Sequence, residues 1–235
     1  MYKICRLPLK ISFSFLAFWL NITPGLAQNP VTVGLQFNPI VPAELIYSPD
    51  IFITNDDMNV EVSPRGGYSL GMLIRQHFGE RWALQTGILS STRNYNFNAS
   101  RTNFSLDSSF RIVSYEIPLT ALLFTQLGRE TYLSTSAGFS ADFFPSDITL
   151  QTENFRFYAA RKFYVLPSLL ANLGFEWRTE KSGYFYGGLL YHRMITPMSR
   201  FFFRYEKDLE TSEVSDPFSG HYFGLDIKYY FPVKE

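Results

Sequence analysis

Three histidines, scattered carboxylates and two short runs that alternate cations with rings are the residues best equipped for chemistry in this chain. His192 is followed by Ser199, Arg200 and Glu206, and a histidine with a serine and an acid has the composition of a site that attacks an ester. The spacing is loose, and the chain has neither a Gly-x-Ser-x-Gly elbow nor a His-x-Ser-Asn run, so no catalytic residue is expected. Metal chemistry is weaker still. Asp50, Asp56 and Asp57 lack the spacing of a calcium loop, and His77, His192 and His221 form no pair at strand or helix interval, so neither a metal nor a cofactor is expected. The runs Phe155-Arg156-Phe157-Tyr158, with Arg161 and Lys162, and Arg200-Phe201-Phe202-Phe203-Arg204-Tyr205 are suited to gripping headgroups or stacking against a partner. Arg200, Phe202, Arg204 and Tyr205 are the contact candidates; the alternative is that these runs are strand extensions whose rings pack on neighbouring loops.

The elements that hold these residues follow a period of two. The composition is 46% hydrophobic and 18% aromatic, with 24 Phe, 15 Tyr and 3 Trp, yet the mean hydropathy is only −0.05. Many rings and a near-neutral average imply residues that are apolar at alternate positions. In Val31–Asn38 the odd residues are apolar and the even ones polar or Gly, which places them on opposite faces of a strand. His221, Phe223, Leu225, Ile227, Tyr229 and Phe231 alternate likewise with Tyr222, Gly224, Asp226, Lys228 and Tyr230. Six further runs, near Gly67–Phe78, Trp82–Tyr95, Arg111–Thr125, Tyr132–Phe143, Phe163–Trp177 and Gly183–Ile195, bring the expected strands to eight.

The connections between the runs alternate long and short without exception. The long segments are 42–66, 96–110, 144–162 and 196–220; the short ones are 79–81, 126–131 and 178–182. Even strand number, tight turns at one end and extended loops at the other are the form of an outer-membrane barrel. Runs longer than the ~5–6 residues of soluble strands agree, since ~9–11 tilted residues cross a bilayer. Rings fall near both ends of the runs: Trp82, Tyr132, Trp177, Phe185, Tyr229 and Phe231 by the short turns, and Tyr95, Phe143, Phe163 and Tyr191 by the long loops. Such placement suggests two interfacial girdles.

Lys3, Arg6 and Lys10 precede the apolar run 11–20, and small residues lead up to Ala27, the pattern of a signal peptide over 1–27. The expected mature domain, 28–235, then carries 18 basic and 21 acidic residues and loses Cys5, the only cysteine. That balance offers no field for nucleic acid, and no disulfide is expected.

If the apolar face meets lipid, the opposite face fills the barrel with Gln36, Asn38, Arg75, His77, Gln85, Arg93, Glu116, Asp142, Asn172, Glu176, Asp226 and Lys228. An eight-stranded barrel is just wide enough for side chains to fill, so Arg75, Arg93, Glu116, Asp142, Glu176, Asp226 and Lys228 are expected to form a polar network plugging the lumen. For Glu116 the expected partner is Arg75, Arg93 or Lys228.

The strand Trp82–Ser90, the segment Tyr115-Glu116-Ile117-Pro118-Leu119 and the closing Gly224–Phe231 resemble the outer-membrane β-barrel family of Bacteroidota often called PorT-like. The resemblance implies an all-β fold: an eight-stranded antiparallel up-and-down transmembrane β-barrel in the outer membrane of a Gram-negative bacterium. The expected role is structural or interactive and not enzymatic, with outer loops and periplasmic turns as contact surfaces. Expected partners are outer-membrane lipid and a protein of the envelope, the barrel itself being monomeric. The alternatives are a small-solute or lipid-handling barrel and, after it, a lipid-modifying enzyme.

Overall fold

The computed structural model describes residues 30–41, 51–55, 58–101, 104–152, 155–179, 181–207, 210–218 and 220–232, so the expected signal segment lies outside the described residues. The strands are β1 (Val31–Val41), β2 (Ile51–Asn55), β3 (Met58–His77), β4 (Trp82–Arg101), β5 (Phe104–Gln126), β6 (Thr131–Phe143) and β7 (Ile148–Thr152). They continue with β8 (Phe155–Arg161), β9 (Val165–Thr179), β10 (Gly183–Met194), β11 (Ser199–Lys207), β12 (Glu210–Phe218) and β13 (Tyr222–Tyr230). Among the described residues no helix is long and apolar enough to cross a membrane, a fact that leaves spanning by strands open.

Eight of the strands are hydrogen-bonded in the order β1-β13-β10-β9-β6-β5-β4-β3. The ring closes where β3 pairs with β1 from Val31↔Gln76 to Ile40↔Gly67. Every pairing is antiparallel, as the short connections require, and closure leaves no open edge along the barrel. The outward side chains are apolar: Leu70, Met72 and Ile74 on β3, Ile117 and Leu119 on β5, and Leu225 and Ile227 on β13 are each at least 41% exposed. A water-soluble domain does not show a continuous band of this kind, whereas a lipid-facing wall must.

The expected strand limits need correction at the long-loop end. The segments 58–66 and 96–110, expected within long loops, are strand: β3, β4 and β5 run through them, with the β4–β5 ladder paired out to Arg101↔Phe104. The reason is an inversion of polarity along one wall. Below, the outward positions are apolar; above, Asn96, Asn98, Asp107 and Ser109 point outward to water while Phe97, Ala99, Phe110 and Ile112 are buried inside. The period of two persists, but the meaning of its two phases is exchanged when water replaces lipid outside.

A second irregularity hid β3. Its register shifts between Pro64 and Gly66, and Gly66 has φ 94°, a conformation that side-chain-bearing residues avoid. The bulge moves the buried positions from odd to even numbers, so that Val60 and Val62 face inward beyond it just as Ser69 and Leu73 do before it.

Of the other five strands, β2 pairs with the upper part of β3 from Ile51↔Val62 to Asn55↔Met58, and four build a separate sheet, β12-β11-β8-β7, at the long-loop end, with β12 running beside β2. The segments 144–162 and 196–220 are therefore hairpins. Asp147 braces the first: it accepts from the Tyr158 hydroxyl at 3.1 Å and lies 3.3 Å from Nε of Arg161. That hydrogen bond raises the Tyr158 phenol above its ordinary range.

The aromatic girdles also need correction at two places. Trp82, Trp177, Phe185 and Phe231 are half exposed by the short turns, and Phe143 and Phe163 are exposed at the opposite end. Tyr95 and Tyr132, however, point inward. Tyr95 is buried and stacks on Phe110, and Tyr132 packs on Ala83, Leu122 and Phe124. Both stand at inward positions of their strands, and that parity overrides their closeness to an interface.

Candidate functional site

The inward side chains, taken from the short-turn mouth upward, occupy the barrel level by level. At the mouth Arg178 lies over the rings of Phe124 and Tyr132, 4.2 Å from each centroid, and the His77 ring stacks on Phe124 at 5.9 Å. A guanidinium sandwiched among rings replaces part of its lost hydration by attraction to their π faces. Arg178, expected in the short connection 178–182, belongs to β9 and is inward by parity, two residues beyond Glu176.

Above it, Arg75 Nη1 donates to Glu176 Oε2 at 2.7 Å, and Nε of Arg178 donates to the other carboxylate oxygen at 2.7 Å. Glu176 is thus held by two cations. The Tyr230 ring covers the Arg75 guanidinium at 3.7 Å, and the Tyr230 hydroxyl donates to Gln85. Room for that ring comes from Gly34, where an added Cβ would lie 2.6 Å from the ring carbon Cδ1. Beside this level Lys228 Nζ lies 2.8 Å from Asp226 Oδ2, while Gln36 donates to Oδ1 at 3.0 Å.

The uppermost polar level joins the other expected residues. Arg93 Nη2 donates to Glu116 Oε1 at 3.0 Å, and the Tyr222 hydroxyl donates to Oε2 at 3.1 Å. Of the three partners expected for Glu116, the structure pairs it with Arg93. Asp142 accepts from Ser140 at 2.6 Å and from Ser168, and Nε2 of His192 lies 3.0 Å from its Oδ2. His192 stacks on Tyr222 at 4.5 Å, which links the two carboxylates through one ring pair. His192 is fully buried inside the barrel, while Ser199 belongs to a strand of the outer sheet; its side chain, and that of Glu206, lie outside the described residues.

Glu116, Asp142 and His192 offer ligand atoms within 4.8 Å of one another. These are donor types that a divalent cation accepts. In this cluster the cation role is already filled, because Arg93 balances Glu116 and also donates to the carbonyl of Gly220 at 3.1 Å. The chemistry is that of a buried, ion-paired network whose charges hold one another.

The polar levels end under an apolar cap. Val60, Val62, Tyr95, Phe97, Phe110, Ile112, Phe144, Leu166, Met194 and Met198 form one buried cluster at the long-loop end. The expectation of a lumen filled by polar side chains is corrected to a polar column closed above by an apolar plug. The signal was available in Phe97 and Phe110, which keep the inward phase after the outward positions turn polar.

Of the loop candidates, Phe202 stacks on Tyr158 at 6.4 Å between strands β11 and β8. Arg200, Arg204 and Tyr205 lie on β11, and their side chains lie outside the described residues.

Residues 27–233 match a family model described as outer membrane protein beta-barrel domain. No curated protein matches the chain. Among solved structures, the outer membrane protein OprG from Pseudomonas aeruginosa is similar at 13% identity and TM-score 0.54, over 86% of this chain and 96% of that one. The translocator domain of autotransporter NalP from Neisseria meningitidis matches at 11% identity and TM-score 0.34, over 94% of this chain and 96% of that one. The beta domain of the Bordetella autotransporter BrkA matches at 9% identity and TM-score 0.38, over 87% and 99% respectively. At these identities the likeness to OprG speaks for the fold alone.

Proposed function

Since the chain belongs to the outer membrane protein beta-barrel domain family, we propose that it acts as a non-enzymatic structural or interaction protein of a Gram-negative outer membrane, related to the PorT-like barrels of Bacteroidota. The observation that carries this reading is the occupied lumen: Arg75–Glu176 with Lys228–Asp226 beside it, and Arg93–Glu116 above them, fill the barrel, and the apolar cap closes it at the long-loop end. A barrel built to pass solute needs an aqueous path, and an eight-stranded one has little room to spare for it. Contact is left to the outside surfaces. The outer sheet presents β7 as an edge strand, and edge strands have unpaired backbone groups suited to adding a partner strand. The partner is an envelope protein, the barrel being a monomer with its leader over 1–27 removed.

Two measurements on the same protein test the reading. Reconstituted in planar bilayers, the barrel is expected to give no discrete conductance steps. A photocrosslinking residue in place of Thr149, on β7, is expected to yield one adduct of constant mass in native outer membranes, absent when the label replaces Thr125 at the other end. Discrete conductance would overturn the reading in favour of solute passage, and a smear of adducts equal at both sites would remove the argument for a dedicated contact edge.

A further inference from the structure

The outer wall of β3, β4 and β5 changes character within one row of cross-strand neighbours. Tyr68, Leu70 and Met72 on β3 and Tyr115, Ile117 and Leu119 on β5 are apolar, outward and 41–57% exposed, as lipid contact requires. The next outward row holds Arg65 beside Gly66, Asn94 and Arg111, with Gly66↔Asn94 and Asn94↔Arg111 in register. Above it stand Ser63, Asn96 and Ser109, and carboxylates enter only in the row after that, as Glu61 and Asp107 across Asn98. Two guanidiniums thus lie at the upper boundary of the lipid-facing wall with no acid beside them in their own row. Among the described residues neither is tied by an ion pair or a hydrogen bond.

We infer that this row is a binding site for the phosphate of an outer-leaflet lipid headgroup, gripped by Arg65 and Arg111. The two arginines with Asn94 and Ser109 line an open groove of about 570 Å³. Planar guanidiniums carry several donors in a fixed fork and match the oxygens of a phosphate better than any other side chain. Asn94 between them and Ser109 in the row above add neutral donors. The bulge at Gly66 is what brings Arg65 outward into this row, so a backbone feature that closes no turn has a use here. Depth selects the lipid-borne phosphate over a free one. Strand rise sets successive outward residues ~6.8 Å apart, so the guanidiniums stand about one such step above Tyr68 and Val113, where headgroup phosphates meet the hydrocarbon boundary.

The inference rests on the membrane-facing wall and not on the proposed contact edge, so the two stand or fall separately. The test uses the full barrel in nanodiscs of phosphatidylcholine containing a minor share of phosphatidic acid, with retained lipid identified by native mass spectrometry. The wild type is expected to retain phosphatidic acid preferentially. That preference is expected to fall about fivefold for each arginine changed in Arg65→Gln and Arg111→Gln. It is expected to survive in the Arg65→Lys/Arg111→Lys double variant in part, and in Arg129→Gln, at the short-turn end, in full. Heat-modifiable migration of each variant reports folding independently. Equal retention of the two lipids by the wild type, or an undiminished preference in the glutamine double variant, overturns the assignment. So does loss of the preference on adding millimolar inorganic phosphate, which would identify a site for the free anion.

Discussion

Arg75 and Glu176 meet across the full diameter of the barrel. Arg75 stands on β3 and Glu176 on β9, four places apart in a ring of eight whichever way it is counted, yet their side chains join at 2.7 Å with both fully buried. Tyr222 on β13 and Glu116 on β5 make a second contact between opposite strands. Such ties fix the cross-section in a way that ladder bonds between neighbours do not, because they resist flattening of the ring.

Breaking the diametric pair at one end leaves a charge buried without its partner, which is expected to cost about 3–5 kcal/mol. Arg75→Gln should therefore lower the urea midpoint of folding into vesicles strongly. Glu176→Gln should do at least as much harm, since it strands Arg178 as well. A double variant that loses as much as the two single losses added together would show that the pair is not coupled.

Glu116→Gln separates a buried pair from a surface charge. Arg93 and Tyr222 both depend on that carboxylate, so its neutralisation should shift the same midpoint clearly. Glu80→Gln, exposed beside a short turn, should shift it by about 0–1 kcal/mol. Two silent variants would contradict an ion-paired interior.

Depth along one strand can be read with a single substitution type. Leu119 and Ser109 both point outward on β5, the first against lipid and the second above the apolar band. Leu119→Arg is expected to cost about 2–4 kcal/mol and Ser109→Arg close to nothing. Equal losses would place Ser109 within the hydrocarbon.

Closure of the ring is testable by chemistry. Val33 on β1 and Ile74 on β3 are directly paired, and the only cysteine of the chain, Cys5, lies in the expected leader. A Val33→Cys/Ile74→Cys variant should oxidise to an intramolecular disulfide, because directly opposed strand residues hold their Cβ atoms ~4.5–5.5 Å apart, within a small adjustment of bonding distance. The oxidised protein should keep a compact, fast-migrating form in unheated gels. Failure to oxidise under conditions that label both thiols would mean the seam lies elsewhere.

Gly66→Val probes the bulge. A β-branched residue forced to φ 94° costs about 1–3 kcal/mol, so the variant should fold with a lowered midpoint, whereas Gly128→Ala in a short turn, where an added Cβ meets nothing closer than 3.9 Å, should be nearly silent. An unaffected Gly66 variant would mean the strand can pass this point without its extra residue.

The strands that cross, their order and the face of each that meets lipid were legible in the residues alone. Those follow from a period of two, from tight turns that permit only antiparallel neighbours, and from the alternation of long and short connections. Also legible was that Arg75, Glu116, Asp142, Glu176 and Lys228 point inward, because facing depends on parity alone. What the residues left open were the partners. Glu116 met Arg93 and not Arg75 or Lys228, since side chains inside a ring meet according to the stagger of strands far apart in the chain, and no local pattern encodes that stagger. The apolar cap was hidden for a related reason. Phe97 and Phe110 continue the alternation beyond the membrane, where outward residues turn polar and inward ones apolar, and a reading that equates the apolar phase with lipid stops where the solvent changes. Whether a ring such as Tyr95 belongs to a girdle or to the core is decided by the fold, which buries it against Phe110 within the apolar cluster.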